Sequence, residues 1–438
     1  MPGRARRRGG LEPEGNDAME MTFSDLGRRL AGPCGIQELM EDLGRALALE
    51  PDMRMLGGGN PAAVPEMQAL WRQRWMELAQ DTPELLDRAL MNYDPPGGNP
   101  AFREAMAGYL RRHLGWEVTA ANVVVMPGGQ AAFFDLFTLL AGTDGSRQIL
   151  FPMAPEYIGY ANQALHGGVF RSVPGLIEEH GAARFKYRID FDRVKQALAA
   201  PEVAAVCISS PSNPTGNVVE TAELGQLREM TRRRGVPLIL DQAYGHPFPG
   251  AVYVDSPPVW DDGMVVSISL SKLGLPGLRT SMIVASPEIT SALANMNAVL
   301  ALANGNIGQA LLLPLLQGDA LADLVRDVVR PFYQRKTSQA CARLETALAG
   351  LPCRVHESQG AFFLWLWLKD CPLPAREIQR RLKQRKVLVV PGHFFFFGLE
   401  QPWDHQEQCL RISVGQPDAV VDEGLAILAD EVRAAYAG

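Results

Sequence analysis

Between residues 120 and 285 the apolar positions fall in short, nearly unbroken runs, separated by longer stretches with helical spacing. Asn122–Met126, Ile149–Phe151, Val169–Val173, Val203–Ser209, Pro237–Leu240, Val265–Ile268 and Ser281–Ala285 read as strands. The segments Ala131–Leu140, Phe191–Ala199 and Ala222–Arg234 read as helices, the second with Asp190 as its N-cap. Continuous rather than alternating apolar strands mean a sheet buried on both faces. Strand–helix alternation makes that sheet mainly parallel, so the fold class is α/β. Ligands of such sheets sit beyond the carboxyl ends of the strands. Gly128, Tyr157, Asn213, Asp241, Tyr244 and Lys272 all fall at such ends.

The flanks follow other patterns. Thr22–Glu50 reads as a helical arm, and Ala62–Leu90 as helical with Trp71 and Trp75, one turn apart, as core residues. Asn92–Pro100 is a rigid loop entering the helix Ala101–Leu114. A long helical region, Asn304–Gly350, precedes strands at Arg354–His356, Gly360–Leu368 and Cys409–Gly415, a helix at Ala375–Gln384 and a closing helix, Asp418–Tyr436. This tail end reads as a smaller α+β domain. The expected division is a disordered basic tail over 1–20, an arm over 21–65 joining the small domain, a large domain over 66–324 and a small domain over 325–438.

The composition narrows the choice. With 438 residues, 47% hydrophobic and 21% charged, the chain can bury two large cores. A net charge of −7 argues against a nucleic-acid partner. No apolar run reaches membrane-spanning length. The cysteines at 34, 207, 341, 353, 371 and 409 show neither a CxxC pair nor metal-like clustering, and read as reduced thiols of a cytoplasmic protein. The Arg-rich start lacks the apolar stretch that an export signal needs behind its arginines. Neither a metal nor an internal repeat is expected.

Chemistry gathers around Val265–Thr280. Lys272 lies just past a strand end, with Ser269 and Ser271 before it and Arg279 seven residues after it. Hydroxyls, free backbone N–H groups and a guanidinium make a phosphate cradle. A lysine beside such a cradle points to pyridoxal phosphate held covalently. Pro127-Gly-Gly-Gln130, between a strand and a helix start, offers a second anion site through unpaired N–H groups and the helix dipole. Met55–Pro61, with three glycines, is either a plain turn or a loop presenting its backbone to a carboxylate. Asp241, directly after Leu-Ile-Leu, needs a cationic partner if buried. Arg411, inside an apolar strand, needs an anion, either a structural acid or a ligand carboxylate. Tyr93, Tyr157 and Tyr160 are packing residues by default.

Together PSNPTGN with Asn213, LDQAY with Asp241 and Tyr244, SLSK with Lys272, PGLR with Arg279 and LRIS with Arg411 resemble the signature series of fold-type I, pyridoxal-phosphate-dependent aminotransferases. The resemblance runs from about residue 22 to the C-terminus. The stretches MLGGGNPA, FPMAPEYIGY, AYGHPFPG, SLSKLGLPG and FLWLWLKD are similar to the valine–pyruvate (alanine–valine) branch of that family.

The resemblance implies a set of roles. Lys272 would carry the cofactor and, once released, move the substrate proton, while Asp241 pairs with the pyridine nitrogen. Asn213 and Tyr244 would hold the ring oxygen, and Tyr157 would lie on the ring face. Gly129, Gln130, Ser269 and Arg279 would hold the phosphate. Arg411, with Gly59 and Asn213, would bind the substrate carboxylate. Tyr93 would reach the phosphate of a second subunit in a homodimer. The partners are then an amino acid and a 2-oxo acid. An apolar Phe394–Phe397 and the lack of a second arginine in the motifs fit valine and pyruvate; an aromatic or 2-aminoadipate-type pair on the same scaffold is the alternative. A lyase, and the cofactor-binding domain of a transcription regulator, are further alternatives. His393 reads as a surface or satisfied histidine. Arg279 stands seven residues after Lys272 where many relatives have eight, which touches loop geometry alone. Asn213-Pro214 is a candidate cis bond.

Overall fold

The computed structural model describes residues 22–50 and 52–438. The expected disordered tail over 1–20 lies outside the described residues. Within the first compact unit, which ends at Gly32, a short helix Asp25–Ala31 starts at Ser24, whose Oγ accepts the Gly27 N–H at 3.0 Å. The second unit, Pro33–Gly438, carries everything else described below.

Fifteen strands are found among the described residues. In chain order they are β1 (Arg54–Met55), β2 (Val123–Met126), β3 (Gln148–Ala154), β4 (Phe170–Pro174), β5 (Leu176–His180), β6 (Arg184–Arg188), β7 (Val203–Ser209), β8 (Leu238–Asp241), β9 (Met264–Ser269), β10 (Ser281–Val284), β11 (Arg354–His356), β12 (Phe363–Trp367), β13 (Val387–Leu388), β14 (Val390–Pro391) and β15 (Cys409–Ser413). Seven of them form a sheet in the order β2-β10-β9-β8-β7-β3-β4. Every pairing in it is parallel except the two made by β10. The pleat sends alternate side chains to opposite faces: Val123 and Val125 enter one core cluster, Val124 and Met126 the other. Both faces are therefore dry, which is why these strands read as unbroken apolar runs.

The second sheet has the order β14-β15-β12-β11-β6-β5. It is not built from the C-terminal segment alone. β5 and β6 come from the middle of the chain, β6 pairing in parallel with β11. The exposed, polar side of β5 concealed this, since Leu-Ile-Glu-Glu-His carries no buried-strand pattern. A third, two-stranded ladder joins β1 to β13, with Arg54 opposite Val387 and Met55 opposite Leu388. It ties the glycine loop after Met55 to the second sheet.

Two packing expectations differ from the fold. Trp71 is buried and its indole N–H donates to the Leu273 carbonyl at 3.0 Å, whereas Trp75 is 39% exposed. The helix Pro65–Gln80 turns by 3.6 residues per turn, so a residue four further on drifts off the buried stripe when that stripe is narrow. Among the described residues the cis peptide bonds are Ala154-Pro155, Ser210-Pro211, His246-Pro247 and Phe248-Pro249, so Asn213-Pro214 is trans. The cis bond expected at that asparagine is found three residues earlier, at Ser210-Pro211.

Candidate active site

The carboxyl ends of β3, β7, β8 and β9 open onto one cavity of about 370 Å³. Gly59, Gly129, Gln130, Tyr157, Asn213, Asp241, Tyr244, Ser269, Lys272, Arg279 and Arg411 all line it. Tyr93 does not; it is 80% exposed elsewhere on the surface.

Lys272 sits in the single 3-10 turn Ser271–Leu273 that follows β9. Its Nζ donates to the Gly59 carbonyl at 2.6 Å and lies 5.4 Å from the centre of the Tyr244 ring. Desolvation, with Arg411 and Arg279 nearby, lowers its amine to about 8, and Asp241 opposes them. An uncharged amine is the nucleophile in carbonyl chemistry, so this environment makes it reactive near neutral pH.

Asp241 ends β8. Its Oδ1 accepts from Ser267 Oγ at 2.6 Å and from the Ala243 N–H at 3.0 Å; its Oδ2 accepts from the Tyr160 hydroxyl. Burial pushes the carboxyl up, while these donors and Lys272 pull it down. The acid was expected to need a cation; its hydrogen bonds come from three neutral donors, and Lys272 is the cation that acts on it. Tyr160, read as a packing residue, is thus a partner of Asp241. Its sequence signal was general: a buried phenol seeks a polar partner, and it follows Tyr157 by three residues in a strand-end loop. Ser267 had a comparable signal, a hydroxyl inside the apolar run of β9 directly opposite Asp241.

The phosphate-type corner combines the start of the helix Gly129–Ala141 with Ser269, Ser271 and Arg279. The Gln130 side chain is turned away, donating to the Gly159 carbonyl at 2.8 Å, so its backbone N–H is what remains for an anion. Gly128 has φ +93°, and a Cβ there would lie 2.3 Å from Arg279 Nη2. Glycine is needed at this point for the guanidinium to close over the helix start.

Arg411 lies on β15, 2% exposed. Nη1 donates to Asn213 Oδ1 at 2.8 Å and Nη2 to the Gly57 carbonyl at 2.6 Å; the Phe363 and Phe395 rings flank the guanidinium at 4.7 and 5.2 Å. Burial lowers it to about 10, still a cation at neutral pH. Its buried Nε has no hydrogen-bond partner, and no acid pairs with it among the described residues. The structural-acid alternative is therefore set aside. The glycine triplet divides its work, Gly57 meeting Arg411 and Gly59 meeting Lys272. Asn213 Nδ2 also donates to the Tyr244 oxygen at 3.4 Å, leaving the phenol hydrogen free to point elsewhere.

The Asn213 loop is fixed against the second sheet at Gly216, whose carbonyl accepts the N–H groups of Gln359 and Gly360 at 3.0 and 2.9 Å. With φ +70°, and a Cβ that would lie 2.7 Å from the Gly360 carbonyl, this glycine permits the close approach. The cavity wall also includes Ile36, Leu39 and Met40 from the helix Gly35–Leu49, which had been read only as an arm. Of the apolar run Phe394–Phe397, Phe395 reaches the site through Arg411, whereas Phe397 packs on Phe151 and Phe170. His393 lies against Phe394 outside the cavity wall.

These residues fit pyridoxal 5'-phosphate. An amine of lowered pKa, an acid at the cavity floor, N–H groups with a guanidinium, and an arginine with an orphaned Nε match its aldehyde, ring nitrogen, phosphate and a substrate carboxylate in turn.

The comparisons agree. The family model for aminotransferase class I and II matches residues 66–428. The chain is 41% identical over 420 residues to the valine–pyruvate aminotransferase of Escherichia coli K12, covering 95% of this chain and 99% of that one. It resembles the crystal structure of valine–pyruvate aminotransferase from Salmonella typhimurium LT2 with a TM-score of 0.84 and 39% identity, covering 92% of this chain and all of that one. The α-aminoadipate aminotransferase of Thermus thermophilus, solved with N-(5'-phosphopyridoxyl)-L-leucine, shares the fold at 23% identity, a TM-score of 0.77 and coverage of 95% and 98%. Site geometry and sequence similarity thus lead to one conclusion: this chain belongs to the class I and II aminotransferases, enzymes that work with pyridoxal 5'-phosphate.

Proposed function

We propose that the protein transfers the amino group of L-valine to pyruvate by a ping-pong route, giving 3-methyl-2-oxobutanoate and L-alanine. The observation that carries this reading is the state of Arg411: a buried guanidinium, free of any acid, on the same cavity as Lys272. A fork of this kind binds a carboxylate through two parallel hydrogen bonds. Among the described residues lining the cavity the cations are Lys272, Arg279 and Arg411. Once the first serves the aldehyde, the second the phosphate and the third the α-carboxylate, none is left for a distal acid. Ile36, Leu39 and Ile158 supply apolar wall instead, which suits a branched aliphatic side chain. The 41%-identical valine–pyruvate aminotransferase of Escherichia coli K12 supports the same substrates.

Pyridoxal phosphate, when bound, supplies an electron-withdrawing ring that stabilises negative charge at the substrate Cα. The protein's share is placement and proton handling. Asp241, held by Ser267, Tyr160 and Ala243, would keep a proton on the ring nitrogen. Tyr244, with its oxygen already accepting from Asn213, has its hydrogen available for the ring oxygen. Tyr157 would cover the ring face. Gly129, Gln130, Ser269 and Arg279 would hold the phosphate, and Lys272 would take the Cα proton and return it one position along. Arg411, Gly59 and Asn213 would hold the substrate.

A homodimer in which Tyr93 completes the partner's phosphate site belongs to the proposal; the 80% exposure of that ring, away from the chain's own cavity, supports it. So does a cytoplasmic setting, which the six free cysteines support. The division into an arm over 21–65, a large domain over 66–324 and a small domain over 325–438 is proposed with one exchange, β5 and β6 being lent to the second sheet. An amino-donor panel with pyruvate as acceptor tests the function. Valine should rank at or near the top, and an acidic donor outrunning it would overturn the substrate assignment.

A further inference from the structure

One buried acid of the cavity region has no part in the roles above. Glu156 is 1% exposed, in the loop after β3 that also holds Tyr157 and Tyr160. Its Oε1 accepts the Ser209 N–H at 3.0 Å, its Oε2 lies 2.6 Å from Ser209 Oγ, and Oε2 also lies 3.4 Å from the Tyr157 N–H. Its own N–H donates to the Phe395 carbonyl at 3.0 Å.

The ladder between β3 and β7 stops at Leu150 opposite Val206. The Glu156 carboxyl therefore takes over the Ser209 N–H that β3 no longer reaches. That alone would be a structural role. The placement of Ser209 adds another. It ends β7, sits directly opposite Asp241 in the β7–β8 register, and lines the cavity.

A serine hydroxyl has one hydrogen. If Glu156 were ionised, that hydrogen would be spent on the glutamate. If Glu156 were protonated, the acid would donate to Ser209 Oγ, and the serine hydrogen would be free to point into the cavity. The surroundings decide between these. No cation pairs with Glu156 among the described residues, and the titratable groups acting on it or acted on by it are Asp241, Cys207 and Tyr160, none of which gains positive charge. Two buried carboxyls near each other do not both ionise unless each has a cation, and Lys272 acts on Asp241 but not on Glu156. Asp241 has three donors and keeps the charge, and burial raises Glu156 to about 8.

We propose that Glu156 is a positioning residue that remains protonated in the working enzyme and, by donating to Ser209 Oγ, turns the Ser209 hydroxyl into a hydrogen-bond donor beside Asp241 at the cavity floor. The proposal deepens the cofactor-site reading and rests on it. It also explains how the floor can carry a single negative charge with Asp241 lining the cavity and Glu156 buried behind Ser209.

Infrared difference spectroscopy between the wild type and Glu156→Gln at neutral pH tests it, in the cofactor-free protein and in the holoenzyme. A protonated-carboxyl carbonyl band should be present in the wild type, absent in Glu156→Gln, and moved in frequency by Ser209→Ala. A wild type without that band overturns the proposal, and this holds even if the Gln variant fails to fold. Cofactor affinity supplies the second readout. An amide reproduces both hydrogen bonds to Ser209 and gives up only the long 3.4 Å contact with the Tyr157 N–H, so Glu156→Gln should bind pyridoxal phosphate within about threefold of wild type, whereas Ser209→Ala should lose roughly 3- to 10-fold, one neutral hydrogen bond. A loss of tenfold or more in Glu156→Gln alone would mean that a charge had been removed, and would overturn the proposal. Uptake of the cofactor by the wild type reports on the underlying reading separately.

Discussion

The cavity has two sides of different construction. One is made by the ends of the seven-stranded sheet and holds Lys272, Asp241 and the helix start at Gly129. The other is made by the second sheet and holds Arg411. On the first side the functional groups stand just beyond strand ends, where the backbone is leaving the ladder and side chains reach the cavity without entering a core. On the second, the functional group is inside a strand, pressed between two phenyl rings, with carbonyl oxygens as partners. Charge is stabilised by partners in the first case and kept waiting in the second. A buried cation with no anion is unfavourable by itself. It is tolerable where a substrate carboxylate is the missing half.

Substitutions should separate the two sides by the kind of loss they cause. The largest is expected at Lys272. Lys272→Ala removes the covalent anchor and the proton carrier together, and turnover should fall by at least about 100- to 10,000-fold from the proton-transfer role alone. Steady-state kinetics and loss of the bound-cofactor absorbance would register it. Arg411→Ala comes next. Truncating one member of a buried charged pair costs about 2–5 kcal/mol. That loss should appear as a raised KM for both valine and pyruvate, because both present the same carboxylate, with the cofactor absorbance retained. If Arg411→Ala instead lost the cofactor and left KM unchanged, the two sides would not be distinct.

A third test concerns the amine on the first side. Only the uncharged form of Lys272 attacks an aldehyde, and that fraction rises with pH. With the amine lowered to about 8 by burial and by Arg411 and Arg279, uptake of pyridoxal phosphate by the cofactor-free protein should increase through a midpoint near pH 8. A midpoint near that of an ordinary lysine would show that the cavity does not hold the amine as described. The smallest contrast lies away from the chemistry. Trp71→Ala should cost about 3–5 kcal/mol of stability as a large core truncation. Trp75→Ala, at a 39% exposed position, should stay within about 1 kcal/mol. Denaturant melts of the two variants would compare them.

The same contrast explains what could be read from the sequence. Strand-end residues announce themselves: Asp241 after Leu-Ile-Leu, or Lys272 after an apolar run, is a polar group at a sharp change of pattern. The parallel sheet was legible for the same reason, since burial on both faces leaves continuous apolar runs. Partners contributed from far away in the chain were not legible. Tyr160 bonding Asp241, and Gly57 meeting Arg411 across 354 positions, are products of the tertiary fold with no local pattern. β5 was hidden because an edge strand exposed on one side keeps charged residues. Trp75 misled because a helical repeat says which residues share a stripe, not how wide the buried part of that stripe is. Arg411 was visible as an anomaly, but its sequence could not say whether a protein acid or a ligand answered it; among the described residues no acid pairs with it, and its Nε has no partner.

The central claim is that Lys272 is the amine on which pyridoxal phosphate is carried. Borohydride reduction of the purified holoenzyme, followed by peptide mass mapping, tests it most directly. A phosphopyridoxyl group fixed on the peptide containing Lys272 is the expected result. The label on a different lysine, or no label after the cofactor has been supplied, would contradict it.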